Sequence, residues 1–143
     1  MRNTDLALLI DRFMRRIHFG LQSKAHDFDK AKVGPGGGIV LLTLSDMGSP
    51  GLRELTTRVA RDKSQMTRTV RSLETKGLVQ RFACSDDARV TRIRLTSDGE
   101  TVVKTLQHAV AETIDDILAP NSRDEKDALK AILERALIDT DPT

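Results

Sequence analysis

Tryptophan and tyrosine are absent from this 143-residue chain, and phenylalanine occurs only four times. A core without the large aromatics rests on Leu, Ile and Val, and a chain of this length buries enough apolar surface more easily when two copies share it. Cysteine occurs once, at Cys84, so no internal disulfide can form. Arg81 would favour its thiolate while Asp86 and Asp87 oppose it, and an inert thiol is expected. Long apolar runs are missing too. The longest, near Ile39–Leu44, is far too short to span a bilayer. The first residues lack the layout of a signal peptide, because Asp5 and Asp11 bracket the short Leu6–Ile10 run. A cytoplasmic protein is expected. The three histidines, His18, His26 and His108, pair neither with cysteine nor with each other at ligand spacing, so no metal site is expected. Nucleophile-elbow, phosphate-loop and paired-carboxylate motifs are absent as well, which argues against an enzyme and against a cofactor.

What the chain does have is an uneven charge. Its net charge of +2 divides into +2 for residues 1–50, +6 for residues 51–97 and −6 for residues 98–143. A basic middle suits a polyanionic partner. The acidic tail would be repelled by phosphate and belongs on the far side from it.

Periodicity predicts a mainly helical chain with a small β-hairpin. Leu6, Ile10, Phe13, Ile17 and Leu21 recur at helical spacing from Thr4 to about Phe28, with Asn3 or Thr4 as the cap. Val33-Gly34-Pro35-Gly36-Gly37-Gly38 then reads as the end of a helix. It is either a flexible joint or a place where an anion could approach backbone N–H groups. A short apolar helix follows at Ile39–Met47, and Gly48-Ser49-Pro50-Gly51 closes it. Leu52–Ala60 is the next helix. Asp62, with Gln65 three residues on, opens another, whose inward residues are Met66, Val70 and Leu73 and which Gly77 ends. The hairpin spans Leu78–Phe82 and Val90–Leu95 around a polar turn. Thr96 or Ser97 caps a long helix to about Ala119, Pro120 breaks it, and the capping box Ser122–Glu125 opens a last one.

With Met66, Val70 and Leu73 turned inward, Ser64, Arg68, Arg71 and Thr75 point away from the core, and Gln65 and Thr67 lie on the flanks. Arg pairs bidentately with guanine, Gln with adenine, and hydroxyls with phosphate or base edges. An ordinary solvated face would look similar in isolation. The hairpin and the basic block beside it favour Ser64, Gln65, Thr67, Arg68 and Arg71 as major-groove contacts. Arg89, near the hairpin tip, suits a narrow minor groove, with Asp87 holding it by a charge-assisted hydrogen bond. Arg81, Arg92 and Arg94 are expected to neutralise phosphate. Two helices, a tight joint and an Arg-tipped hairpin make a winged helix-turn-helix over about residues 51–97.

Glu54-Leu55, Met66-Thr67-Arg68, Leu73, Gly77-Leu78-Val79, Arg81, Asp87-x-Arg89 and Leu95-Thr96-x-x-Gly99 fall in one order and spacing. Over about Gly51–Gly99 the chain thereby resembles the multiple-antibiotic-resistance regulator (MarR) family of bacterial transcription factors. The resemblance implies a single domain over residues 1–143. Its dimerisation helices would be about 4–28 and 97–138, and as a homodimer it would read double-stranded DNA at a pseudo-palindromic operator. It implies a repressor released by a small-molecule effector, with an unknown ligand site. In place of the family's usual opening to the second helix stand Gly34 to Gly38. Two alternatives remain: a constitutive or architectural DNA-binding dimer without sensing, and a winged-helix protein-interaction module.

Overall fold

The computed structural model describes residues 2–83 and 90–138. Among them the elements follow in the order α1 (Thr4–Phe28), α2 (Gly34–Met47), α3 (Leu52–Val59), α4 (Lys63–Thr75), β1 (Val79–Ala83), β2 (Thr91–Leu95), α5 (Ser97–Ile117) and α6 (Arg123–Ala136). The mainly helical class and the small hairpin are as the periodicity predicted. The chain gathers into two units: Asp29–Gln107, and α1 together with the chain from His108 through α6.

The first unit is built on aliphatic residues from every element it contains. Val40, Leu41 and Leu44 of α2, Leu55 of α3, Met66, Val70 and Leu73 of α4 and Ile93 of β2 are essentially sealed from solvent. Each stabilises the fold by about 1.5–3 kcal/mol relative to exposure. Leu78, Val79, Val103 and Leu106 complete this core. β1 and β2 pair antiparallel, with Val79 opposite Leu95, Arg81 opposite Ile93 and Ala83 opposite Thr91. Side chains alternate across a sheet, so Val79, Ile93 and Leu95 share the core side with Arg81, while Gln80, Phe82, Arg92 and Arg94 share the other. The sequence grouped Arg81 with Arg92 and Arg94; the register separates it from them.

The glycine segment differs from its expected form. Gly34 to Gly38 do not end a helix or join two; they are the first turn of α2, which continues without a break to Met47. Pro35 is tolerated so early in a helix because no intrahelical donor is lost. The Asp29 carboxylate accepts hydrogen bonds from the N–H groups of Val33 (2.9 Å) and Gly34 (3.0 Å), satisfying donors that the helix leaves open. Gly37 and Gly38 are buried, and a Cβ on Gly37 would meet Val33 at 2.9 Å.

Close approach also fixes Gly99. A Cβ there would overlap the backbone oxygen of Leu78 and lie 3.0 Å from its carbon. This is where α5 leaves the hairpin. Thr96 closes the corner: its N–H donates to Leu78 O (3.0 Å), its hydroxyl donates to Gly77 O (2.6 Å), and its Oγ1 accepts from Gly99 N–H (3.0 Å).

In the second unit Asn3 caps α1 through Leu6 N–H (3.0 Å). Gly20 of α1 lies against Thr113 of α5, whose Cγ2 would stand 2.7 Å from an added Cβ. Lys24 bridges to Asp116 at 2.9 Å. Ser122 and Glu125 form the predicted capping box of α6. The Glu125 carboxyl is held below the usual carboxylate range, first by the backbone N–H of Ser122 and then by its hydroxyl. α1 buries none of its residues.

Candidate nucleic-acid interface

The helix that carries the candidate contacts is built as its sequence dictates. Asp62 sits in extended backbone and its Oδ1 accepts from Gln65 N–H at 2.8 Å, which stops α4 at Lys63. Just before it, Ala60 takes a left-handed conformation (φ 58°) and ends α3. These two residues make the tight joint of the helix-turn-helix. Met66, Val70 and Leu73 pin α4 to the core, and Lys63, Ser64, Gln65, Arg68, Arg71 and Thr75 are left exposed.

All five residues named for the major groove therefore lie on the solvent side of α4 or on its flank. Thr67 is half-buried, and its hydroxyl donates back to Lys63 O (2.8 Å). It offers a methyl group and an acceptor rather than a free donor. Among the described residues neither Arg68 nor Arg71 is ion-paired. Lys63, Ser64, Thr67 and Arg68 together line a shallow concavity of about 430 Å³ at the head of the helix. Lys63 was not picked out from the sequence. The available signal was its place at the first helical position, where a cation and open backbone N–H groups meet.

The hairpin arginines differ in freedom. Arg81 Nε donates to Glu74 Oε1 at 2.7 Å in a half-buried ion pair that ties the hairpin to α4. Arg92 Nη1 donates to Ser49 O at 3.0 Å, locking β2 to the loop before α3. Arg94 is exposed; it stacks over the Phe82 ring at 4.3 Å and its Nε reaches Gln80 Oε1 at 3.4 Å. Cys84, Asp86, Asp87 and Arg89 lie outside the described residues. Among the described residues no group of three or more His, Cys, Asp or Glu is placed to hold a metal ion, and no helix is long and apolar enough to cross a membrane.

A short helix, a left-handed joint, a capped helix with a basic outer face and an antiparallel hairpin thus stand in the order of a winged helix-turn-helix. Residues 39–91, the heart of this arrangement, match the model of the MarR family. Over these residues the chain carries a MarR-family domain. It is a transcriptional regulator with a DNA-binding winged-helix fold, and not an enzyme. The regulator PecS of Dickeya dadantii is 28% identical over 133 residues, covering 91% of this chain and 74% of PecS. Two solved structures show the same fold. One is a mutant of MepR from S. aureus bound to an oligodeoxyribonucleotide, with TM-score 0.64, 20% identity and coverage of 92% and 95%. The other is BpsR of Bordetella bronchiseptica, described by its regulation of DNA binding by 6-hydroxynicotinic acid, with TM-score 0.69, 19% identity and coverage of 94% and 98%.

Proposed function

We propose that this MarR-family chain acts as a homodimeric repressor that reads a pseudo-palindromic operator and lets go when a small anion binds. The observation that carries the DNA reading is the outer face of α4, where Ser64, Gln65, Arg68 and Arg71 stand exposed, with no ion pair on either Arg among the described residues. A bidentate Arg–guanine or Gln–adenine contact needs such unengaged groups. Thr67 adds an apolar contact beside them. Arg89, from its sequence position with Asp87 near the hairpin tip, is assigned to the minor groove, and Arg94 is freer than Arg81 and Arg92 to meet phosphate. Arg81 and Arg92 add charge from positions already tied within the module.

Dimerisation is supported by apolar surface left open in the second unit. Leu6, Leu9, Ile10 and Met14 of α1 are about half exposed, as are Ile132 and Leu133 of α6. Apolar side chains that recur along two helices without cover need a partner, and a second copy is the simplest one. Release by an effector is supported by a groove of about 440 Å³ in the first unit, between the end of α2, the end of β2 and the start of α5. Its floor is Leu44 and Val103; its rim carries Arg94, Glu100 and Lys104. Glu100 and Lys104 stand one turn apart on α5 yet form no ion pair, so the ammonium is open to an anion. A small aromatic acid, ring on the floor and carboxylate at the cations, suits this lining.

Selection of duplexes from a random pool tests the proposal. Two half-sites about 10 bp apart and two chains per duplex by light scattering are expected. A panel of small aromatic acids then follows on the selected duplex, with Lys104→Glu as control. A single half-site bound by one chain would refute the dimer. Failure of every acid to release DNA would leave the constitutive reading.

A further inference from the structure

Arg61 lies between the left-handed Ala60 and the helix cap Asp62, at the point where the chain turns from α3 into α4. Its side chain is half-buried and runs back to α2. A Cβ placed on Gly36 would lie 2.9 Å from Arg61 Nη1 and 3.4 Å from both Cζ and Nη2. Nη1 is the nearest atom, so the Nη1 side of the guanidinium lies against the helix turn at Gly36, with its plane inclined to the contact. Among the described residues Arg61 has no ion-pair partner. The contact is one of shape: the end of the guanidinium fits against a helix turn that has no side chain. Charge alone would oppose it, since a cation at a helix N-terminus is disfavoured.

We propose that Arg61 is a positioning residue for α4, with Gly36 as its seat, so that the turn fixing the head of the reading helix is anchored on the first turn of α2. This rests on the reading that α4 contacts DNA. Gly36 has no positive φ, and only the movable end of Arg61 opposes a methyl there. Alanine is also the better helix former. Gly36→Ala therefore keeps or improves folding while it unseats the guanidinium. Arg61→Ala removes the anchor from the other side. Lysine keeps the charge without the plane, so Arg61→Lys does not restore the anchor.

The test measures affinity for the duplex that the wild-type chain selects from a random pool, and for a shuffled duplex, over a series of salt concentrations, beside thermal melting. The expected result is a loss of about three- to thirty-fold on the selected duplex in Gly36→Ala, Arg61→Ala and Arg61→Lys alike. The double variant Gly36→Ala/Arg61→Ala should lose no more than either single one, the shuffled duplex should bind as before, and the Gly36→Ala melting temperature should hold or rise. The salt slope should stay unchanged, because no phosphate contact is removed. A slope that falls by about one in Arg61→Ala, with affinity kept by Arg61→Lys, would make Arg61 a phosphate ligand and overturn the proposal. Wild-type affinity in Gly36→Ala would overturn it too. If the wild-type chain selects no duplex, the DNA reading itself fails and takes this inference with it.

Discussion

Replacing Gly99 by alanine puts a methyl carbon into overlap with the carbonyl of Leu78, which is backbone and cannot swing aside. Relief requires the start of α5 to move away from β1 by about 1 Å, against a corner closed by three hydrogen bonds through Thr96. Overpacking of this kind costs about 1–3 kcal/mol. Stretching the Thr96 N–H to Leu78 O bond adds about 1 kcal/mol. The better helix propensity of alanine returns at most about 1 kcal/mol. The net loss is about 1–3 kcal/mol, or roughly 3–10 °C in melting temperature for a chain of this size. Gly77→Ala is the control. Gly77 has φ 75° but nothing within 4 Å of an added Cβ, so only the left-handed conformation is penalised, by about 1 kcal/mol. Circular-dichroism melts of the two variants should therefore rank Gly99→Ala below Gly77→Ala. If Gly99→Ala melts within 2 °C or so of wild type, or above Gly77→Ala, the corner is not packed as described.

Other expectations follow from the same contacts. Asp62→Ala removes the acceptor at the head of α4 and should cost about 1 kcal/mol, read by urea denaturation; unchanged stability would discount the cap. Because the folded Glu125 carboxyl is depressed, the stability it contributes is present above its unfolded value and lost as pH falls through the folded one. Carboxyl titration by NMR should place Glu125 below an ordinary glutamate, and Ser122→Ala should move it back toward one. Leu9→Lys with Leu133→Lys should shift the chain toward monomer in light scattering if the open faces of α1 and α6 meet a second copy; a dimer of wild-type strength would send that interface elsewhere.

The helices, their caps and the inward residues of α4 were legible because each is a local signal. Asp62, Ser122 and Thr96 act within three residues, and Met66, Val70 and Leu73 follow one period. The glycine segment was misread for a physical reason. Glycines usually punctuate a chain, but Gly37 admits Leu73 and Gly36 admits Arg61, contacts set by distant elements. The hairpin arginines looked alike for the same reason. Only the strand register puts Arg81 beside Glu74, and only the fold brings Ser49 O to Arg92. The basic block of residues 51–97 coincides with the winged-helix module, while the freedom of each cation depends on partners that charge counting does not see.

The central claim is that the exposed face of α4 and the hairpin tip hold DNA. Affinity of Arg68→Ala and Arg89→Ala for the selected duplex, measured by fluorescence anisotropy, tests it most directly. Arg68→Ala should lose about 1–3 kcal/mol, with relaxed discrimination at one base pair, and Arg89→Ala should weaken binding where the minor groove is narrow. Wild-type affinity and selectivity in both variants would contradict the account.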